Sequence, residues 1–434
     1  MNPSSLVGHI LELLETIDQS TQPADRLTAE FFRARTYLGS HDRRCIAGTV
    51  FGVIRHRRFA ETLLEQFLIE HPACADLNAP HVRYLPVLTA YSAIDGQAIT
   101  IPPTLWKTSF PNHDLTTYLD WLLQHTNLDF LRTETEEVRF GVKYSFQDWM
   151  VAEWSECFGQ ETESLLQALN KPAPITLRVN TMKANREECR ARLQQDGVAT
   201  EPTKLSPFGL IAEKRFNSQS LSSFREGWFE MQEEGSQLVS LLANPLPGNI
   251  VIDSCAGAGG KALHLADLMK NEGEIIAVDV DGKRLAELER RAKRAGISII
   301  RTVVREELQP ENFIGKADLV LIDAPCSGSG TIRRNPAFKW SISESIVQHY
   351  TEMQLEILES DCRFLKSSGM LVYATCSLFA EENQSVIQSF IDRHQDFIIE
   401  PVHSFIEMES PFAVLTPHHH GTDGFFVATM KRSQ

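Results

Sequence analysis

The stretch that decides the fold is Leu319-Val320-Leu321-Ile322-Asp323-Ala324-Pro325-Cys326, an apolar run of strand length that ends in a polar loop. A second run, at 370–374, has the same form and is followed by Thr375 and Cys376. Short apolar runs that alternate with helix-period segments are typical of buried parallel strands. Ligands bind at the carboxyl ends of such strands. Two thiols at that edge indicate chemistry, although packing remains the alternative for free cysteines.

The chain from about residue 236 alternates strands and helices, which predicts an α/β fold with a parallel, doubly wound sheet. We expect its longest helix at about 343–365. The predicted strands are 250–254, 274–279, 298–304, 319–323, 370–374 and a closing strand at 425–429.

Length and composition limit the class of protein. The 434 residues predict two or three domains, and 42% hydrophobic with 23% charged residues is typical of a soluble globular chain. The net charge of −15 argues against a protein that coats nucleic acid non-specifically, but it leaves room for a local basic surface.

Location follows from the termini, the apolar runs and the cysteines. The amphipathic first helix carries acidic residues and does not resemble a signal peptide. No apolar run approaches the ~20 residues that span a bilayer, and the eight cysteines contain no CxxC pair. We therefore expect a cytoplasmic, monomeric protein with free thiols, no metal site and no membrane partner.

The region before residue 236 divides in two. Residues 1–137 have helical periodicity, and the predicted helix after Ser40 carries several arginines, of which Arg44 and Arg55 share a face. Such a stripe, with Arg58 beyond it, is either a solvated helix side or a surface that contacts phosphate. Residues 138–235 predict a small α/β module, with an alternating strand at 175–180.

A glycine-rich loop follows the first predicted strand of the last domain, 236–434. Gly257, Gly259 and Ala262 match the nucleotide fingerprint, and Asp279 ends the next strand about twenty residues later. Glycines let the backbone approach a ligand closely, and a carboxylate at that position binds ribose hydroxyls. The pattern predicts an adenosine-type cofactor but does not separate NAD from S-adenosylmethionine.

The cysteines favour methyl transfer over hydride transfer. Cytosine C5 is a poor nucleophile, and attack of a thiolate on C6 activates it by covalent catalysis. An ordinary cysteine is mostly protonated at pH 7, so activation needs a helix N-terminus or a cation, for which Lys261 is the candidate beside Cys376. An NAD-dependent oxidoreductase and a catalytically silent RNA-binding factor remain alternatives.

The chain resembles the RNA 5-methylcytosine methyltransferases of the bacterial 16S rRNA cytosine-C5 methyltransferase B (Sun) family. Residues 177–180 and 229–238 are similar to the middle module of that family, and 24–26 and 40–44 to its NusB-like RNA-binding domain. In the last domain the similar stretches are 253–263, 277–285, 323–336, 373–383 and 423–426, and the two cysteine motifs are the most specific part of the resemblance.

The resemblance implies a Rossmann-like catalytic domain that uses S-adenosylmethionine on RNA, most of all rRNA. It also implies that Cys376 is the nucleophile, that Cys326 assists product release and that Asp323 hydrogen-bonds the cytosine N3/N4 edge. This choice of thiol rests on the resemblance, because DNA cytosine methyltransferases use the Pro-Cys cysteine. The implied cofactor residues are Cys255, Ala256, Gly257, Ala258, Gly259, Gly260, Lys261, Asp279 and Asp323.

Two positions depart from the family pattern, which usually has Pro at Ala258 and an Asp near Arg305. Glu306 is the candidate to replace that Asp in cofactor binding, because Arg305 cannot accept the same hydrogen bond; the sequence alone leaves this open. Arg333 and Arg334 follow the Cys326 loop, and we expect them to contact substrate phosphate rather than only solvent. We expect a solvated face from Arg290, Arg291, Lys293 and Arg294, and no metal at His418, His419 and His420.

Overall fold

The computed structural model describes residues 1–20, 22–79, 82–95, 99–401 and 411–433. By its internal contacts the chain divides into two units. One comprises Met1–Asn170 with Arg334–Ser341, and the other comprises Lys171–Arg333 with Ile342–Gln434. Within the described residues, no helix combines the length and the apolar character that a membrane span requires.

The helices and strands are numbered along the chain. The helices are α1 Pro3–Asp18, α2 Ala24–Ala34, α3 Ser40–Arg55, α4 Arg57–Glu70, α5 Tyr84–Asp95, α6 Pro103–Ser109, α7 Leu115–His125, α8 Glu136–Tyr144, α9 Asp148–Phe158, α10 Thr162–Leu169, α11 Arg186–Gln195, α12 Ser222–Arg225, α13 Glu234–Ala243, α14 Gly260–Leu268, α15 Gly282–Ala295, α16 Phe338–Ser341, α17 Glu344–Asp361, α18 Gln384–Arg393 and α19 Pro417–His420. The strands are β1 Ile175–Val179, β2 Thr200–Pro202, β3 Gly209–Ala212, β4 Phe229–Met231, β5 Ile250–Asp253, β6 Glu274–Asp279, β7 Ile300–Val304, β8 Ala317–Asp323, β9 Leu365–Thr375, β10 Phe397–Glu400, β11 Ala413–Leu415 and β12 Phe425–Arg432.

The first unit is helical, as its periodicity predicts. Val7, Ile10 and Leu13 of α1 recur on one face and are buried, and Ile46 and Val50 of α3 belong to the same apolar core. Burial of such a stripe, more than intrinsic propensity, stabilises helices of this length.

The segment Arg334–Ser341 belongs by its contacts to this helical unit, although it lies late in the sequence. Its Lys339 is fully buried, and the ammonium donates to the carbonyls of Arg55 and Tyr144, each at 2.9 Å, and to Asn170 Oδ1 at 2.6 Å. Burial lowers the pKa of Lys339 well below its ordinary value. The predicted domain boundaries at residues 137 and 235 stay predictions.

The second unit contains two sheets. A small antiparallel sheet has the order β2-β3-β1-β4, and the large sheet has the order β10-β12-β9-β8-β5-β6-β7, with β11 beside β12. Strands β5 to β9 are parallel, whereas β12 is antiparallel to β9 and β10. The prediction of a parallel sheet was therefore right for the strands that form the site and wrong for the strands beyond β9.

Each predicted strand of the large sheet is present; β6 has the predicted bounds, and the other predicted strands have one or both ends shifted. Strand β9 begins at Leu365, where the longest helix had been predicted to end, and α17 ends at Asp361. Strands β10 and β11 had not been predicted, because each has only three or four residues and lacks clear alternation.

The register of β8 and β9 determines where the site forms. Asp323 pairs with Ala374, and the amide of Ala324 donates to the carbonyl of Ala374 at 2.8 Å. The loops that follow these two strands therefore begin side by side.

Candidate active site

The structure brings the two thiols together at this edge of the sheet. Cys326 Sγ and Cys376 Sγ are 3.3 Å apart, and both side chains are partly buried. The amide of Gly330 donates to the carbonyl of Cys376 at 2.9 Å, which ties the first loop to the second. A distance of 3.3 Å is short enough for one thiol to donate to the other.

The two sulfurs differ in their electrostatic surroundings. The hydrogen bond with Cys376, burial and the nearby Glu382 carboxylate together raise the pKa of Cys326 well above its ordinary value. Cys326 is therefore held in its protonated form near pH 7.

An ion pair lies next to the thiols. Lys261 Nζ, in the first turn of α14, contacts Asp323 Oδ2 at 2.6 Å. Burial acts to lower the pKa of Lys261, but the Asp323 carboxylate more than offsets it and the pKa is raised. The Cys376 sulfur is also close enough to stabilise the ammonium. The structure therefore unites the four residues predicted to be catalytic, and Asp323, whose side chain is 29% exposed, is accessible from outside.

The glycine loop between β5 and α14 requires glycine at two positions. Gly257 and Gly259 have φ of +55° and +83°, in the left-handed region. A Cβ on Gly259 would lie 2.0 Å from Cδ1 of Leu288. The carbonyl of Ala258 accepts a hydrogen bond from Arg291 Nη1 at 2.6 Å. The fingerprint thus reflects a tight backbone path across the end of β5.

Two carboxylates lie at the cofactor end of this loop. Asp279 accepts hydrogen bonds from the amides of Gly257 at 2.7 Å and Asp281 at 2.9 Å. Asp253 is buried, and within the described residues no side chain donates to either of its oxygens. Burial, assisted by the negative charge of Asp323, raises the pKa of Asp253 to about 7. Asp253 was not predicted as a site residue, although it begins the family-like stretch 253–263.

These residues fit S-adenosylmethionine. A buried carboxylate without a side-chain donor suits a cationic ligand, and Asp279 at the end of β6 suits ribose hydroxyls. The loop between them comprises Cys255, Ala256, Gly257, Ala258, Gly259 and Gly260.

Arg305 does not take over the role of the family's acidic residue. Its guanidinium forms two hydrogen bonds of 2.9 Å with the buried Asp361, and it donates to the carbonyl of Ser254 at 2.7 Å. Arg305 therefore supports the backbone at the end of β5. Glu306 follows as an exposed residue, and its expected role in cofactor binding stays a prediction.

Several arginines contradict the sequence analysis. Arg333 is buried and donates to the carbonyls of Gly421 and Thr422 at 2.7 and 3.0 Å, so the prediction that it contacts phosphate was wrong. The expected contact of Arg334 with substrate phosphate stays a prediction. Arg291 and Arg294 pair with the buried Glu230, so the prediction that they form a solvated face was also wrong.

The arginines of the basic stripe in the helical unit also differ in their surroundings. Arg58 donates to the carbonyl of Phe146 and to Asp148, each at 2.6 Å, and therefore has a structural role. Arg44 is exposed, and among the described residues it has no ion-pair or hydrogen-bond partner. The surface that is available for phosphate is smaller than the sequence predicts.

Sequence analysis missed Glu382. This residue is fully buried and hydrogen-bonds Ser327 and Ser377, the residues that follow the two cysteines. The available signal was the repeated Cys-Ser pair together with an acidic residue six positions after Cys376. An acidic residue at the start of a helix is usually exposed, so the signal was weak.

Comparisons with known proteins agree with this geometry. The family model described as 16S rRNA methyltransferase RsmB/F matches residues 240–431, and its ferredoxin-like domain model matches 146–219. A probable ribosomal RNA small subunit methyltransferase B of Synechocystis is 31% identical over 421 residues, which cover 91% of this chain and 92% of the relative. Its counterpart in Bacillus subtilis is 34% identical over 316 residues, or 68% of each chain.

The fold has a full-length counterpart among solved structures. The crystal structure of PH0851 superposes with a TM-score of 0.77 at 29% identity and covers 100% of this chain and 99% of that one. The match extends over almost the whole chain, and the glycine loop and the paired thiols agree with it. The protein therefore belongs to the ribosomal RNA small subunit methyltransferase B family of S-adenosylmethionine-dependent rRNA methyltransferases.

Proposed function

We propose that the chain methylates C5 of a cytosine in 16S rRNA through a covalent bond between Cys376 and C6 of the base. The observation that carries the proposal is the 3.3 Å separation of the two thiols beside the Lys261–Asp323 pair. Neither an oxidoreductase nor a silent binding factor requires this arrangement. The helical unit would act as a NusB-like RNA-binding domain.

The first step needs a thiolate and an activated ring. The Cys376 thiolate forms the S–C6 bond, and the electron pair of the C5=C6 bond moves toward C5 and the N3 side of the ring. Asp323 is partly exposed, and its contacts with the N3/N4 edge orient the base and assist that shift. S-adenosylmethionine, when bound, supplies the electrophilic methyl group that C5 accepts.

The second step releases the product. A base removes the remaining C5 proton, the C5=C6 bond re-forms, and the Cys376 thiolate leaves. Cys326 suits this role because the largest cause of its raised pKa is the hydrogen bond with Cys376. That bond is lost once Cys376 is a thioether, and Cys326 then ionises more easily.

A covalent-adduct assay tests the proposal. Cys376→Ala should lose both turnover and adduct, whereas Cys326→Ala should transfer the methyl group and then remain attached to the RNA. Each variant is incubated with unmethylated 16S rRNA and cofactor, and a shifted band is sought by denaturing electrophoresis. Adduct only in Cys376→Ala would make Cys326 the nucleophile, and activity without adduct in either variant would refute the covalent mechanism.

A further inference from the structure

A buried carboxylate lies beneath the two cysteine loops. Glu382 Oε1 accepts hydrogen bonds from the amide of Ser327 at 2.8 Å and from Gln354 Nε2 at 3.1 Å. Its Oε2 accepts from the hydroxyls of Ser327 and Ser377, each at 2.5 Å. One side chain therefore bonds to the residue after each cysteine and to α17.

These contacts fix the positions of both loops. Gln354 also donates to the carbonyl of Pro325 at 2.9 Å, next to Cys326, and Tyr373 donates to the carbonyl of Glu382 at 2.6 Å. A backbone hydrogen bond from the amide of Gly330 to the carbonyl of Cys376 joins the two loops, and the buried side-chain bonds of Glu382 add to it in holding the sulfurs at contact distance. A fully satisfied buried network is rigid and specifies one geometry.

The directions of the hydrogen bonds suit an ionised carboxylate. The amide of Phe379 donates to Ser377 Oγ at 3.1 Å, and the amide of Leu378 donates to Ser329 Oγ at 2.8 Å. The Ser377 hydroxyl has therefore already accepted one bond, and its hydrogen remains available for Glu382. Burial raises the pKa of Glu382 above its ordinary value, and the donors from Ser327, Ser377 and Gln354 offset only part of that rise.

Charges of opposite sign act on the two thiols. The Glu382 carboxylate acts on Cys326, whereas the Lys261 ammonium acts on Cys376. Among the described residues, Tyr350 of α17 and Tyr373 of β9 also interact with the thiols, and both are neutral near pH 7. The Asp323 carboxylate pairs with Lys261. An anion disfavours a second negative charge nearby, and a cation favours one.

We propose that Glu382 is a positioning residue that holds both cysteine loops and favours the proton of the thiol pair on Cys326, which leaves Cys376 as the nucleophile. This rests on the proposed function, because it explains how the two sulfurs acquire different roles. Glu382 acts on the reaction only through the two thiols.

Alkylation of the full chain without RNA tests the inference. Iodoacetamide reacts with thiolates, and peptide mass spectrometry measures the rate at each cysteine as the pH is varied. In the unchanged protein, Cys376 should react at least about tenfold faster than Cys326 near pH 7, since each pKa unit changes the thiolate fraction tenfold. In Glu382→Gln, which keeps the size but not the charge, that ratio should fall toward one as Cys326 becomes reactive.

Two further variants separate charge from structure. Glu381→Gln removes the same charge one residue away and should leave the ratio unchanged. Glu382→Asp keeps the charge but shortens the side chain, so the preference for Cys376 should survive while turnover falls. Melting curves show directly whether Glu382→Gln folds. If it does not, Glu382→Asp still tests the inference.

The outcomes are distinguishable from failure of the proposed function, because this assay contains no RNA. Faster alkylation of Cys326 in the unchanged protein would overturn the inference. So would an unchanged ratio in Glu382→Gln, or a ratio near one in Glu382→Asp. If the alkylation order holds but no cytosine is methylated, only the proposed reaction fails.

Discussion

The catalytic edge of the sheet has a thiol half and a cofactor half, and the buried carboxylates of the two halves differ in their hydrogen bonding. Beyond β8 and β9, Glu382 accepts hydrogen bonds from Ser327, Ser377 and Gln354. Beyond β5, Asp253 is equally buried but receives no side-chain donor within the described residues, and its pKa is raised to about 7. Buried polar groups are normally hydrogen-bonded, and leaving one unsatisfied costs about 1–3 kcal/mol.

The comparison shows that the buried carboxylate of the thiol half has its hydrogen-bond donors without a ligand. The buried carboxylate of the cofactor half has no side-chain donor among the described residues. The thiol half is preorganised, so the covalent step requires little rearrangement of the loops. In the cofactor half, no side chain among the described residues donates to Asp253, and burial together with the Asp323 charge raises the pKa of Asp253, so binding of a cationic ligand would favour its ionised form. The Lys261–Asp323 pair, which joins α14 to the end of β8, connects the two halves.

The largest loss of activity is expected from a change at the Lys261–Asp323 pair, which connects the two halves. Asp323→Asn should lower the rate of cytosine methylation on the order of 10²–10⁴-fold, because it removes both the contact to the base and the partner of Lys261. The rate is measured as single-turnover methyl transfer to 16S rRNA.

A matched control lies at the other end of the same strands. Lys366 and Asp318 are also 2.6 Å apart, on β9 and β8, but far along the strands from the thiols. Asp318→Asn should therefore leave methyl transfer within about twofold of the unchanged enzyme, since surface pairs contribute little. Equal losses in both variants would show that stability, and not chemistry, explains the result.

The contrast between the carboxylates predicts a dependence on pH. The pKa of Asp253 is about 7 in the folded chain against 3.8 for an ordinary Asp, so the folded state binds the proton more tightly. The free energy of unfolding then falls as pH rises from about 4 to about 7 and is constant above that range. Asp253→Asn removes this loss, and it should stabilise the ligand-free protein by at most about 4 kcal/mol above pH 7.

Urea unfolding of both proteins between about pH 5 and pH 8 measures the difference. The free energy of unfolding of Asp253→Asn should exceed that of the unchanged protein by an amount that grows with pH. S-adenosylmethionine should stabilise the variant less than it stabilises the unchanged protein. A constant difference across that range would mean that Asp253 does not titrate there, and the comparison with Glu382 would lose its basis.

Cofactor binding should complete the second half. S-adenosylmethionine at a hundredfold excess over its dissociation constant should stabilise the protein by ~2.7 kcal/mol, seen as a higher melting temperature. NAD at the same concentration should leave the melting temperature unchanged. A shift with NAD alone would favour the oxidoreductase that the glycine fingerprint by itself allows.

Sequence reasoning succeeded where local pattern and function coincide. The glycine loop, Asp279 and the strands that end at Asp323 and Thr375 could be predicted, because a parallel sheet gathers its strand ends at one edge. The contact of the two thiols follows from the same rule. Glu382 could not be found this way, since its partners come from three separate segments that only the fold brings together.

Basic residues were the main source of error, because an arginine in a sequence does not reveal its partner. Arg333 was expected to contact phosphate, and for Arg58 a phosphate contact was one of two alternatives, yet both donate to carbonyls within their own unit. Long-range pairing of this kind leaves no periodic trace in the sequence. The same pairing identifies Arg44 as the member of the stripe that remains exposed.

The smallest effect is expected at Arg44. It lines a cleft of about 470 Å³ in the helical unit with His41, Cys45, Thr49 and Tyr91. If this surface contacts RNA, Arg44→Gln should weaken binding modestly and reduce the slope of log affinity against log salt by about 0.7–0.9, the value for one phosphate. Its melting temperature should not change, because Arg44 supports no other described residue.

Arg58→Gln is the matched control for that measurement. Its guanidinium bonds to Phe146 and Asp148, so the variant should melt at a lower temperature by an amount that corresponds to about 1–3 kcal/mol. Its salt slope should equal that of the unchanged protein. The two variants thus separate an arginine that binds phosphate from one that stabilises the fold, although each removes one positive charge. If Arg44→Gln also leaves the slope unchanged, the exposed side of α3 is only solvated and RNA binds elsewhere.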